Sequence, residues 1–450
     1  MTLDEVLGSR LAVWGLGAEG RALVALARAR GVEPLLVDDD PGPAARSPEV
    51  GPGAPVLLPR DVPWSAVDVV VRAPGVSRYR PELAAAEAAG VTVTTAMAVW
   101  LEDYADAPVV AVTGTKGKST TAALAAAVLR AGGRTTDLLG NIGVPVLDTY
   151  GHPRAEAYVV EVSSYQSADV TTSPGVVVLT SLAPDHLDWH GGTEAYYRDK
   201  LRLVTAGPAA ALAVSAGNPE AVARTADHPH RTFYGPEGRV RVRSDGWVDV
   251  DGTAVVDTAT LRVPGRHNTW NLCGAVAGAL LLTGEVPSPD AVAGAVAGFE
   301  GLPSRCHPLG TRDGRTYVDD ALASNPFATA ASVETFAGRP LTVIVGGADR
   351  GVDPGPLVDA LCAHRPAASV VVLAPGRGHL VDRLVAGGLP AGAVQVADDL
   401  EAAVGLAAGV TPEGGVVLFS PAAPTPEGGG GYRRRSQRFA EAAGLAPSGS

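Results

Sequence analysis

The chain is predicted to be an α/β protein of three domains: a Rossmann-like N-terminal domain, a central P-loop ATPase-like parallel sheet, and a Rossmann-like C-terminal domain. Two observations carry this. Short apolar runs alternate with Ala/Leu-rich helical stretches along the sequence, as βαβ units require. Two of those runs end in glycine turns, "GLGAEG" after Leu11–Trp14 and "GTKGKST" after Val109–Val112. A length of 450 residues agrees with about three domains. The expected boundaries are 1–107, 108–300 and 301–450.

The first domain opens with strand, turn, helix and strand over Arg10–Val37. Gly15, Gly17 and Gly20 make G-x-G-x-x-G, and Asp38 ends the next strand, which outlines a dinucleotide or nucleotide-diphosphate turn. A Rossmann-like unit without a ligand would look the same. Val67–Val71 reads as a strand, "APGVS" as its turn and Pro81–Ala89 as a helix.

The second domain starts on "PVVAVTGTKGKSTTAALAAAVL". Glycines let backbone N–H groups converge on phosphate oxygens, the helix N-terminus adds a positive dipole, Lys118 adds a charge, and the Ser119 hydroxyl suits Mg²⁺. The glycine that usually opens a P-loop is Val112 here, so the loop is a shortened variant. Lysine usage sharpens the point: the chain has only Lys116, Lys118 and Lys200 against 33 arginines. A lysine kept in such a sequence is a candidate for chemistry that a guanidinium cannot perform.

Ala157–Gln166 reads as a strand presenting Glu161, Ser163, Ser164 and Gln166 at its end. Gly175–Gly191 is a second strand carrying Asp185, His186 and Asp188. In parallel sheets, ligands collect beyond the carboxyl ends of strands, so phosphate loop, carboxylate and His/Asp cluster should share one edge. Glu161 is a candidate Mg²⁺ ligand, because this ion takes one or two carboxylates plus phosphate oxygens. Lys200 falls on a helix, Ala195–Val204. Another helix follows "VPGRHNTWN", with His267, Asn268 and Asn271 near its start, where helix capping is an equal explanation. The third domain has strands at Thr316–Asp320, Leu341–Val345, Val370–Leu373 and Val416–Ser420. It ends in "PTPEGGGGYRRRSQRF", whose Arg433–Arg435 reads as a solvated charge run.

Composition narrows the class. The chain is 46% hydrophobic and 19% charged, which is globular. No apolar run reaches the ~18 residues of a membrane span, and the N-terminus lacks an export signal. Cys273, Cys306 and Cys362 have neither disulfide nor zinc spacing. A net charge of −12 argues against nucleic-acid binding. A cytoplasmic, monomeric enzyme of small molecules is expected.

In their order, "TGTKGKST", "GNIG", "EVSSYQ", "PDHLDWHG", "YRDKLRL", "GRHNTWN", "GLPSRCH", "GGADRG" and "SPAAPTP" resemble the motifs of the Mur ligase family of peptidoglycan enzymes. "SSYQ" and "GNIG" look most like its glutamate-adding member. The resemblance implies a ligase joining glutamate to UDP-N-acetylmuramoyl-L-alanine through an acyl phosphate, with ATP split to ADP and phosphate. By this resemblance Gly17, Ala18, Glu19, Asp38, Gly75, Asn141 and Gln166 bind the UDP-sugar. Gly114, Thr115, Lys116, Gly117, Lys118, Ser119, Thr120, Asn268, Asn271, Arg305 and Asp320 bind ATP. Ser119, Glu161, His186 and a carbamylated Lys200 serve two Mg²⁺ ions, and Lys118, His186 and Lys200 are catalytic. Ser324, Arg350, Thr425 and Tyr432 match the amino-acid pocket.

That pocket departs from the family. The usual D-S-K-A-T-N is Asp320–Asn325 here, with Leu322 in place of lysine, and Arg350 stands where another lysine is usual. This favours L-glutamate over D-glutamate as the added amino acid. A folylpolyglutamate-synthase-like ligase and a dehydrogenase fused to a P-loop switch are the rival readings. Hinges are expected at Ala107–Pro108 and Gly301–Pro303.

Overall fold

Valine-rich runs buried at every position form the central strands, among them Val69–Arg72, Val109–Thr113 and Val416–Phe419. Strands covered on both faces by helices have no solvent side and so lose the polar alternation. The computed structural model describes residues 1–41, 48–51, 53–207, 210–263, 265–348, 352–373, 377–426 and 430–447. No helix among them is long and apolar enough to cross a membrane.

Three sheets result. The first is parallel and five-stranded, ordered Val56–Leu57, Leu35–Val37, Leu11–Trp14, Val69–Arg72 and Thr92–Thr94. The second has nine strands, with Val109–Thr113 central between Val176–Leu179 and Ala157–Glu161. Its far edge, Val240–Val242, Trp247–Val250 and Thr253–Asp257, is an antiparallel meander that the sequence reading did not include. The third has six strands, in which Val416–Phe419 lies between Arg315–Asp319 and Leu341–Val345. Cys273 and Cys306 are buried and Cys362 half-buried, all three as free thiols.

The expected three domains pack as two compact units. One holds residues 1–260 and 269–298, with the first two sheets; the other holds 261–268 and 299–450. Contacts between the first two sheets cross residue 107. Arg72, buried at the end of its strand, meets Asp169 at 2.5 Å, and Arg78 reaches the same carboxylate at 2.9 Å. The Tyr79 hydroxyl donates to Asp199 and the Ser77 hydroxyl to the Trp189 carbonyl. A buried ion pair resists being opened to water, so these contacts oppose opening at Ala107–Pro108. Arg72→Ala strands Asp169 beside Arg78 alone and should destabilise the first unit by about 3–5 kcal/mol. Urea unfolding followed by tryptophan fluorescence measures this; a loss below about 1 kcal/mol, the range of surface pairs, would overturn it.

Local boundaries moved where side chains compete for the backbone. The run Ala157–Gln166, expected as one strand, stops at Glu161. Ser163 then caps a short helix, Ser164–Ser167, with Gln166 closing the reciprocal capping box.

Candidate active site

The phosphate loop has a backbone only glycine accepts. Gly114 sits at φ 143°, and a Cβ there would lie 2.0 Å from Thr180 Oγ1. Gly117 is left-handed at φ 85°, where a Cβ would fall 2.4 Å from Asn271 Oδ1. Threonines pin the turn: the Thr115 N–H donates to Ser181 and its hydroxyl to the Ala183 carbonyl, while Thr180 Oγ1 donates to the carbonyls of Thr113 and Lys116. Helix Lys118–Ala131 starts at Gly117, so Lys118, Ser119 and Thr120 form its first turn, where N–H groups lack helical partners. Lys118 Nζ donates to the Thr115 carbonyl at 3.1 Å, and Lys116 Nζ lies 3.4 Å from Asp185.

Glu161 ends the neighbouring strand, fully buried. Ser119 Oγ donates to one carboxylate oxygen at 2.5 Å and Asn141 Nδ2 to the other at 2.7 Å. The predicted GNIG turn thus brings Asn141 to Glu161, with Gly140 at φ 92° because a Cβ there would strike the Glu161 carbonyl. Ser119 and Glu161 are an adjacent oxygen pair of the type Mg²⁺ accepts when phosphates and water complete its shell. Among the described residues no group of three or more His, Cys, Asp and Glu gathers, so an all-protein cage is not offered.

Lys200 lies on helix Thr193–Thr205, 1% exposed, with Nζ donating to the Gly114 carbonyl at 2.9 Å. Burial drives its amine well below the ordinary lysine range, and the Lys118 charge adds to this against Asp185 and Glu161. His186 is half-exposed at a left-handed φ of 52°, heading the short helix Leu187–His190. Its imidazole is shifted down by burial, opposed by Asp185 and reinforced by Lys118, Lys116 and Lys200. Thr121 Oγ1 donates to Asn271 Oδ1 at 3.3 Å, which ties the later helix Arg266–Thr283 to the phosphate-loop helix.

In the glycine turn of the first sheet, Gly17 and Ala18 are exposed at the start of helix Ala18–Ala29. Gly20 permits the turn, since a Cβ would lie 2.0 Å from the Gly15 carbonyl oxygen. Asp38 accepts from the Leu16 and Asp40 amides, which closes the turn on itself. Gly75 lies in open space. Glu19 and Gln166 do not face outward together: the Gln166 amide donates to Glu19, whose carboxyl is pushed up to about 7 by burial.

The second unit places its residues differently. Asp320 is buried with both oxygens engaged, by Ser332 and Ser420 hydroxyls at 2.7 and 2.6 Å and by the Cys306 amide. Burial raises its carboxyl to about 6. It braces the Ser304–Cys306 turn, where both residues are left-handed. Asn268 is buried, whereas Arg305 and Ser324 are exposed. Arg350 lies outside the described residues. Thr425 lines a cavity of about 210 Å³ beyond the carboxyl ends of Leu341–Val345 and Ser369–Leu373. Tyr432 is half-buried at the start of helix Gly431–Ala443, where Arg433 stacks on its ring.

One reading of the sequence fails here. Arg433 and Arg434 are exposed, but Arg435 is 8% exposed and lines that cavity. The signal was in the spacing: Arg435, Ser436, Phe439, Ala440 and Ala443 share one helix face.

Residues 112–279 match the Mur ligase middle domain, and 304–423 match the Mur ligase, glutamate ligase domain. The chain is 42% identical to UDP-N-acetylmuramoyl-L-alanine--L-glutamate ligase of Micromonospora sp., over 98% of each chain. It is 39% identical to the protein of the same name from Xanthomonas axonopodis pv. citri, over 100% of this chain and 98% of that one. Among solved structures, it resembles UDP-N-acetylmuramate-alanine ligase MurC of Thermotoga maritima with a TM-score of 0.59 at 20% identity, covering 97% and 99%. MurF ligase of Thermotoga maritima in complex with ADP gives 0.60 at 15% identity, covering 96% and 93%.

Proposed function

The chain belongs to the Mur ligase family, and from that premise we propose that it joins L-glutamate to UDP-N-acetylmuramoyl-L-alanine, splitting ATP to ADP and phosphate. The carrying observation is the constellation at one sheet edge: the Gly114–Thr120 loop, Glu161 paired with Ser119, and a buried Lys200 on the loop's own carbonyl. Full-length relatives named as L-glutamate ligases support the choice over D-glutamate and over a folylpolyglutamate-type ligase.

In this reading the loop amides and the first turn of helix Lys118–Ala131 cradle the phosphates of ATP. Lys118 swings from the Thr115 carbonyl to the phosphates. Ser119, Glu161, His186 and a carbamylated Lys200 would hold Mg²⁺, which would supply neutralisation of the charge on the transferring phosphoryl group. The alanyl carboxylate of the substrate attacks the γ-phosphorus and releases ADP. The glutamate amine then attacks the acyl phosphate, forming the amide and expelling phosphate. The low amine basicity of Lys200 suits carbamylation, in which the neutral amine adds CO₂ and loses a proton. Asn268, Asn271, Arg305 and Asp320 serve ATP, and the first-sheet turn at Gly17 and Ala18 serves the UDP end. Free thiols and a need for ATP fit a cytoplasmic enzyme.

Phosphate release is expected only with ATP, Mg²⁺, UDP-N-acetylmuramoyl-L-alanine and L-glutamate all present. NADH oxidation, or ATP hydrolysis at a similar rate without the nucleotide sugar, would refute the reading. Glu161→Gln keeps the shape and the contact with Ser119 but removes the charge. It should lower kcat about 100-fold and raise the Mg²⁺ concentration needed for half-activity; an unchanged Mg²⁺ dependence would remove Glu161 from the metal site.

A further inference from the structure

Arg435 is a buried cation whose guanidinium is only partly satisfied among the described residues: it lies 5.9 Å from the Phe419 ring centre and is attracted by Asp319. Among the described residues its Nε and Nη1 have no hydrogen-bond partner. Its Nη2 makes only long contacts, 3.4 and 3.3 Å, to the carbonyls of Ala321 and Ala423. A guanidinium carries five donors, and burying them unpaired is costly. The nearby charges are already engaged. Arg438 is paired with Glu401, and Asp319 accepts from the Ser304 and Ser436 hydroxyls and the Ala321 amide. Such a group persists where a ligand completes it.

The cavity in front of it fits that ligand. It lies where Gly346 and Gly347 follow one strand and Thr425 follows another, at the point where the parallel sheet reverses its order. A Cβ at Gly346 would lie 2.7 Å from the Leu373 Cβ, and Gly347 likewise abuts the Pro424 carbonyl, so the glycines let the two loops meet. Its volume of about 210 Å³ suits an amino acid better than a nucleotide. Asp398 and Asp399 also lie on the lining. Asp399 already accepts from the Ala402 amide.

We propose that Arg435 is the residue that pairs with the side-chain carboxylate of the incoming L-glutamate, and so makes the enzyme choose glutamate over its neutral analogues. This rests on the ligase reading above. The reacting amine must stay accessible, and the α-carboxylate sits on the same carbon; the end of glutamate free to reach into the cavity is the distal carboxylate. A guanidinium takes a carboxylate bidentately, and glutamine would leave it partly unpaired.

The test uses the full-length protein in phosphate-release assays with ATP, Mg²⁺ and UDP-N-acetylmuramoyl-L-alanine, varying L-glutamate and L-glutamine. Arg435→Met should raise the KM for L-glutamate on the order of 100-fold, leave the KM values for ATP and the nucleotide sugar within twofold, and erase the preference for glutamate over glutamine. Without ligand the same variant should melt at a higher temperature than the parent, because it removes a buried guanidinium with unsatisfied donors. L-Glutamate should raise the melting temperature of the parent only. Arg435→Lys should fall between the two, and it decides the matter if the Met variant does not fold. Arg434→Gln, on the exposed face, should change nothing. A folded Arg435 variant with an unchanged glutamate KM, or one in which all three KM values rise together, overturns the proposal. If the parent ignores L-glutamate but releases phosphate with another amino acid, it is the functional reading that falls.

Discussion

Lys200→Arg is expected to reduce turnover by roughly a hundred- to a thousandfold while the protein stays folded. The amine now donates to the Gly114 carbonyl and sits 5.0 Å from the Tyr196 ring centre, so it anchors the loop as it stands. Arginine has donors for that carbonyl and can stack on that ring, so an anchoring role survives the substitution in large part. A carbamate does not survive it, because a guanidinium has no neutral amine to add CO₂ at physiological pH. The environment favours the neutral amine through burial and the adjacent Lys118 charge. Lys200→Ala should regain part of its activity when a short carboxylic acid is supplied, since the acid replaces the missing anion. Near-normal turnover of Lys200→Arg, with no rescue of the Ala variant, would make Lys200 a packing residue. That three lysines remain among 33 arginines gave this residue its weight before any geometry was known.

Features written in consecutive residues were legible from the sequence. The glycine loop, the all-buried strands and the meeting of the phosphate loop with Glu161 each follow from local pattern plus the rule that ligands gather at strand ends. Features built from distant residues were not. Arg72 and Asp169 meet across 97 positions, and no local signal shows that their pairing welds the first two sheets together. Nor does sequence reveal that Gln166 turns to Glu19, or that Asp320 is held by two serines. Arg435 is a third kind of miss. The run of arginines suggested solvent, and charge outweighed a helical phase that put the third of them beside Phe439.

The chain is expected to prefer L- over D-glutamate by at least about 100-fold in kcat/KM. Chirality is read by three contacts, here to the attacking amine, the α-carboxylate and the distal carboxylate. Fixing the first and last leaves the α-carboxylate and the α-hydrogen to exchange places between isomers, so handedness depends on where the third cation stands. Where the resembled motif has a lysine, this chain has Leu322, half-buried with its amide on the Ser304 carbonyl. Compositional drift in this sequence turns lysine into arginine, not leucine, so the loss of that cation is a change of pocket chemistry. Arg435 supplies a buried cation elsewhere, on the helix after the last strand. A pocket with its cations moved in this way strands the α-carboxylate of the isomer it was not built for, and an unpaired buried carboxylate is heavily disfavoured. Parallel assays with the two isomers at matched concentrations measure the ratio. Equal use, or a preference for D-glutamate, would mean that Arg350 alone restores the ordinary arrangement and that Leu322 is silent in recognition.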